Sequence, residues 1–125
     1  MKNDIELNCV RIALLNLFES KGFPIERIND FSSDFSIDWS DEFCGSLRRL
    51  NEQICIFSKA LEKNDKLVQV AALVVARGVA LRLLNQFEGI FEDIESVAFS
   101  EEYGWPIIPD GYHLPSDYLS VNNKE

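Results

Sequence analysis

His113 is the only histidine in this chain, which excludes a metal site built from two or more imidazoles and leaves one candidate general base. It lies in Asp110-Gly-Tyr-His113, within a Pro- and Gly-rich stretch, the setting of a turn whose Asp bonds local backbone. Glu88, Glu92 and Glu95 follow an i, i+4, i+7 spacing that would place three carboxylates on one helical face, within reach of a divalent cation such as Mg2+. Glu62 and Asp65 form a second acidic pair. There is no Glu-x-x-His for a ferritin-like carboxylate site and no GxxxxGK or GxGxxG for a phosphate-cradling loop. Cys9, Cys44 and Cys55 are odd in number, lack CxxC spacing and sit in apolar contexts, so they read as reduced core thiols. On one helix Cys44 and Cys55 would stand about 16 Å apart, too far for a disulfide or a shared metal.

The carboxylate spacing resembles that of all-α nucleotide pyrophosphohydrolases, which pair ExxE and ExxD helices around Mg2+. Here the ExxD precedes the ExxE, and Glu62 and Asp65 straddle an expected helix turn. The acidic face is therefore read as solvated and the chain as a non-enzyme with no cofactor. A Mg-dependent enzyme using the helical carboxylate face is the third-ranked alternative.

Charge is distributed in blocks. The chain has 125 residues and a formal net charge of -9, yet residues 43–82 hold seven Lys or Arg against three Asp or Glu. From Leu83 to Asn123 there are eight carboxylates, no Lys or Arg, and seven of the fourteen aromatic residues. A second acidic cluster comprises Asp30, Asp34, Asp38, Asp41 and Glu42. Such an excess of carboxylates repels phosphates, so nucleic acid is not the expected ligand. Carboxylates steer a cationic partner while Tyr and Trp supply dense contact area. The expected contact residues are Glu92, Asp93, Glu95, Glu101, Glu102, Tyr103, Trp105, Asp110, Tyr112 and Asp117.

These residues must be positioned by helices. Ile5 to Phe18 carry apolar residues at helical spacing, and Lys21, Gly22 and Pro24 supply a stop. Residues 25–40 combine turn-forming Ser, Asp and Asn with Ile25, Ile28, Phe31, Phe35, Ile37 and Trp39, the pattern of an extended loop packed on the body. Ser40, followed by Asp41 and Glu42, reads as the N-cap of a helix running to about Lys63. Along that helix Phe43, Leu47, Leu50, Ile54, Phe57 and Leu61 form a 4-3-4-3-4 seam. Asn64-Asp65 supplies a C-cap and a fresh N-cap, as in a tight helix hairpin. The next helix has thirteen Ala, Val or Leu among the seventeen residues from Val68 to Leu84 and is expected to be the central one.

Gln69, Arg77 and Arg82 interrupt that helix and argue against a membrane span. Arg77 is either buried against a carboxylate of the acidic block or directed outward. The apolar phase continues through Leu84, Phe87, Phe91, Ile94 and Ala98, with a possible kink at Gly89. Beyond Ser100, Gly104, Pro106, Pro109, Gly111 and Pro115 exclude regular helix, while Trp105 to Tyr118 are apolar enough to wrap the bundle.

The expectation is one all-α domain over residues 1–119: a compact bundle of three to four helices, a packed loop at 25–40, an irregular C-terminal segment and a frayed tail at 120–125. A start without signal architecture suggests a cytoplasmic protein. The leading functional expectation is a small acidic protein that sequesters or inhibits a cationic protein partner, such as a nuclease-type toxin, in the manner of immunity proteins and antitoxins. The alternative is a helical scaffold or adaptor acting as a homo-oligomer, in which basic block meets acidic block across the interface and the dimer weakens as salt rises. Neither nucleic acid nor membrane is an expected partner.

Overall fold

The computed structural model describes residues 6–120; of the expected frayed tail at 120–125, Ser120 ends a helix and residues 121–125 lie outside the described residues. The described residues are all-α: α1 (Leu7–Ser20), α2 (Ile25–Ile28), α3 (Trp39–Glu62), α4 (Lys66–Ala98), a 3-10 turn (Glu101–Tyr103) and α5 (Ser116–Ser120). Three of these helices are long. α3 and α4 pack side by side along their length as an antiparallel hairpin, and α1 packs on α3.

α1 ends where its sequence says it should. Gly22 takes φ 72, the left-handed conformation a residue without Cβ adopts at no steric cost. The Phe23 amide then donates to the Phe18 carbonyl at 3.1 Å and the Gly22 amide to Glu19 at 3.0 Å, a Schellman cap. The apolar contact that accompanies such caps is the Phe18–Phe23 stack, with ring centroids 5.6 Å apart.

The hairpin turn follows the same logic. Asn64 takes φ 56, the Asp65 amide donates to Ala60 at 2.9 Å, and the Asp65 carboxylate accepts from the Val68 amide at 3.2 Å to cap α4. Two residues thus close one helix and open the next.

The main core lies at the end of the molecule away from this turn. Phe18, Phe35, Trp39, Ile90, Val97 and Tyr103 form one buried cluster, supported by Leu14, Phe23, Ile28 and Phe31. Phe18 is its centre, with Phe31 stacked at 4.6 Å and Phe35 edge-on at 5.6 Å. We call this part the head and the rest of the hairpin the arm.

Several expectations change. Residues 25–40 are not wholly extended, because Ile25–Ile28 form one helical turn, but the segment is packed through Phe35 and Trp39. Ser40 is not the N-cap of α3. Asp38 is, accepting from the Asp41 amide at 3.0 Å, and Ser40 Oγ instead accepts from the Asn8 amide at 2.9 Å, tying α1 to α3. α4 runs unbroken through Gly89 for 33 residues, about 50 Å at 1.5 Å per residue. Cys9 and Cys55 are exposed and Cys44 is half-buried, all free, so none is a core thiol. α5 interrupts the expected irregular segment, which does not wrap the bundle closely: Ile107 is 92% exposed and Tyr118 70%.

The largest correction concerns α4, which is not a central helix. Apart from Gly89, which lies under the Ser32–Ser33 loop, its buried or half-buried positions form one line: Gln69, Ala72, Ala76, Val79, Leu83, Gln86, Ile90, Asp93 and Val97. The matching line on α3 is Trp39, Phe43, Ser46, Leu50, Gln53, Phe57 and Ala60. Both lines keep the 3-4 spacing of a helix-helix seam. Ala60, Ala72 and Ala76 are the buried residues toward the turn, and side chains this small let the two backbones approach closely. Gln86 Nε2 donates to the Trp39 carbonyl at 3.2 Å and Gln69 Nε2 to the Ala60 carbonyl at 3.2 Å, which pins the hairpin register at both ends. Of the expected α3 seam, Phe43, Leu50 and Phe57 lie on the observed line, while Leu47, Ile54 and Leu61 sit one step off it; Ile54 and Leu61, with Leu73, Leu84, Phe91 and Ile94 one step off the α4 line, are all more than 40% exposed.

Candidate protein interface

Two surfaces follow from this architecture. The first is the acidic, aromatic strip of the head, where the ten expected contact residues divide into internal and external sets.

Asp93 is not a surface residue. It is 1% exposed, and its two carboxylate oxygens accept from the Ser32 amide at 2.7 Å and the Ser33 amide at 2.9 Å. Gly89, one turn earlier, makes room for this loop, since a Cβ there would stand 3.1 Å from Ser33 Oγ. Beside it Glu92 accepts from Ser32 Oγ at 2.9 Å. These contacts dock the 25–40 loop on α4, so both carboxylates belong to the folding of the head.

Tyr103 is also internal, 7% exposed. Its ring stacks on Trp105 at 5.5 Å with planes 8° apart, and burial pushes its phenol above the usual value. Glu102 pairs with Arg27, whose guanidinium lies 4.1 Å from the centroid of the Phe23 ring. The hydrogen bond from Arg27 holds the Glu102 carboxyl below its ordinary range.

A depressed folded value means that the pair stabilises the protein above the unfolded carboxylate value of about 4.3 and that this contribution disappears as pH falls through the lower folded value. Glu102→Gln should therefore melt below the wild type near about pH 6 and coincide with it near about pH 2.5. Thermal melts at the two pH values check this, and a gap that persists in acid would contradict it.

The external set is Glu95, Glu101, Trp105, Asp110 and Tyr112, all exposed, with Asp117 exposed on α5. Trp105 is anchored by its indole N–H, which donates to the Val97 carbonyl at 2.7 Å, yet remains 46% exposed, and Tyr112 is 53% exposed. Trp105 also walls an open apolar cleft of about 430 Å3 with Leu14, Leu17, Ile94, Val97 and Ile108. In the second acidic cluster, Asp34 is engaged by Ser36, whose hydroxyl and amide hold its carboxyl below the usual value, and Asp38 is spent on its cap.

The Glu88, Glu92 and Glu95 line does not gather a cation site; among the described residues no three His, Cys, Asp or Glu side chains converge. Arg77 is exposed, which selects the outward of its two expected placements.

The second surface was missed by sequence reasoning: the apolar side of the arm. In an antiparallel helix pair, positions one residue after the seam on each helix fall on the same side of the pair, because one helix turns clockwise and the other counter-clockwise when viewed from one end. On α3 these positions include Leu47, Ile54 and Leu61. On α4 they are Val70, Leu73, Arg77, Ala80, Leu84, Phe87, Phe91, Ile94 and Ala98, a second unbroken 3-4 line beside the buried one. The opposite side carries Glu42, Gly45, Arg49, Glu52, Ile56 and Lys59 on α3 and Val68, Ala71, Val75, Gly78, Arg82, Asn85 and Glu92 on α4. The hairpin is therefore amphipathic from Gly78 toward the head, while near the turn both sides carry apolar residues, and the side that bears Leu84, Phe91 and Ile94 is uncovered. A signal was present, since the apolar residues after Leu84 repeat at 4-3 spacing, but periodicity does not say which of two adjacent lines meets the partner helix.

No protein-family model matches the sequence, and no curated protein or solved structure is detectably similar to it.

Proposed function

We propose that this chain is a helical scaffold that works as a homodimer, joined through the apolar side of the α3–α4 arm and leaving its acidic heads free for other contacts. The observation that carries this reading is the second line on α4, where Leu84, Phe91 and Ile94 are 61%, 62% and 46% exposed in one row. Contiguous apolar faces of this extent on soluble proteins mark association sites. The face measures about 30 Å by about 20 Å, taking 1.5 Å per residue and two helix widths, or roughly 600 Å2 on each copy. Two copies would bury about 1,200 Å2, the lower end of the range for stable complexes.

Lipid is the competing cover, since α4 is long and apolar enough to cross a bilayer. α3 is antiparallel to it and packed along it, so a hairpin inserting α4 would carry α3 with it. α3 holds Arg48, Arg49, Asn51, Glu52, Gln53 and Lys59, and each charge near the bilayer centre costs about 2.5 kcal/mol or more. A soluble second copy covers the apolar side without that cost.

Sedimentation equilibrium tests the reading. The wild type is expected at twice the 14.3 kDa chain mass, and Leu84→Glu with Phe91→Glu should return it to one chain mass with helical circular dichroism retained. Two carboxylates buried in the contact raise the dissociation constant by about 100-fold or more. Glu52→Gln, on the polar side, should leave the dimer intact. A wild type that stays monomeric at about 100 μM, where a standard interface would associate, would refute the scaffold. Binding to neutral lipid vesicles in place of dimerisation would favour the membrane reading.

A second reading is supported by the head. Trp105, Tyr112 and Tyr118 are exposed in a segment that carries Glu101, Asp110 and Asp117 and no Lys or Arg. That chemistry suits a cationic protein partner, as in sequestration or inhibition of immunity-protein or antitoxin type, with Glu95, Glu101, Trp105, Asp110, Tyr112 and Asp117 as its contacts. Capture of a basic protein that is lost on Trp105→Ala would support it.

A further inference from the structure

We infer that the two copies pack with their α4 helices antiparallel, crossing near residues 82 and 83, so that Arg77 of each copy pairs with Glu88 of the partner copy. This deepens the scaffold reading and rests on it. Three features of the arm lead to the same arrangement.

The first is Arg77 itself. It lies on the apolar line between Leu73 and Ala80, and among the described residues the structure gives it no ion-pair partner. A second copy laid over this line covers the guanidinium, which is tolerated only if a carboxylate comes with the cover. The acids bordering the line on α4 are Glu88 and Glu95. On its own helix Glu88 is eleven residues from Arg77, about 16 Å along the axis, so it is in reach only from another copy.

The second is the extent of the apolar surface. The large exposed apolar residues of α4 on this side run from Val70 to Ile94, with their midpoint at residue 82. Antiparallel packing about that midpoint gives the longest overlap and sets residue 77 opposite residue 87, with Glu88 one residue, about 1.5 Å, further along the axis. It places Leu84 opposite Ala80 and Phe91 opposite Leu73, large against smaller, as interdigitating helices require. Pairing through Glu95 would shift the crossing to residue 86 and set Val70 beyond the end of the partner's α4.

The third is the charge of the two ends. Residues 43–82, which include most of the arm, hold seven Lys or Arg against three acids, while residues 83–123 hold eight acids and no Lys or Arg. Parallel packing lays acid on acid and base on base. Antiparallel packing brings Lys63 and Lys66 at the turn of one copy beside Glu101 at the head of the other, and like-charge juxtaposition is avoided at both ends.

Charge reversal and cross-linking on the full-length chain test this. Arg77→Glu and Glu88→Arg, each alone, should raise the dissociation constant about tenfold, and the double exchange should restore it to within about threefold of wild type, a coupling only paired residues show. With Cys9, Cys44 and Cys55 replaced by Ser, chains carrying Arg77→Cys and chains carrying Glu88→Cys should form a disulfide when mixed and not separately. A dimer without rescue, or with each single-cysteine chain cross-linking to itself, overturns the antiparallel pairing and leaves the scaffold standing. A wild type that never dimerises overturns both. Because Arg77 and Glu88 are exposed in the single chain, the variants fold irrespective of the outcome, and circular dichroism of each confirms it.

Discussion

Phe18→Ala should cost about 3–5 kcal/mol of folding free energy, and Phe99→Ala less than about 0.5 kcal/mol. Residue type and deletion are the same, and the two differ only in what surrounds the ring. Phe18 is 0% exposed and Phe99 83%. Phe18 touches Phe23, Phe31 and Phe35, and its carbonyl also closes the α1 cap. Removing the ring leaves a cavity bounded by other rings, which cannot collapse without giving up their own stacking. For a chain of this size the loss corresponds to a melting temperature lower by about 10–20 °C. Urea titration of both variants measures the pair, and a Phe18→Ala loss under about 1 kcal/mol would mean that the head repacks freely.

Asp93→Ala is expected to cost about 2–4 kcal/mol, and Asp93→Asn less. The carboxylate is the acceptor for two backbone amides, Ser32 and Ser33, and alanine leaves both donors without it at the place where the loop meets α4. Asparagine keeps one carbonyl oxygen and turns an NH2 toward the other amide, so one bond survives. Hydrogen exchange distinguishes this local effect from general loosening. The Ser32 and Ser33 amides should lose protection in Asp93→Ala while amides in the arm of α3 and α4 keep theirs. Uniform loss across both helices would place the head and arm in a single cooperative unit.

Several elements were legible before any coordinates. The stop at Lys21-Gly22, the turn at Asn64-Asp65 and the helical course of α1, α3 and α4 are written in local chemistry: a left-handed residue, a capping carboxylate and a periodic apolar run act over four or five residues and need no distant partner. The all-α class follows from the same signals. The cap of α3 was displaced from Ser40 to Asp38 because Ser40 had a competing tertiary use, bonding the Asn8 amide. The contact list was only partly legible. Asp93 and Tyr103 read from sequence as surface groups because acidity and aromaticity look alike inside and outside, and their burial depends on distant partners, the Ser32–Ser33 loop for Asp93 and Phe23 for Tyr103.

Sequence alone determined the three long helices, the stop after α1, the hairpin turn and the separation of basic from acidic residues along the chain, because each is a matter of composition or of neighbours a few residues apart. Tertiary structure alone decided which of two adjacent apolar lines on α4 would be buried. The line chosen has Ala72, Ala76 and two glutamines, and it is preferred because close backbone approach and Gln-to-carbonyl bonds at both ends of the hairpin fix one register. The more apolar line beside it was left facing outward, and that uncovered row of leucine, phenylalanine and isoleucine is the physical basis for a second copy.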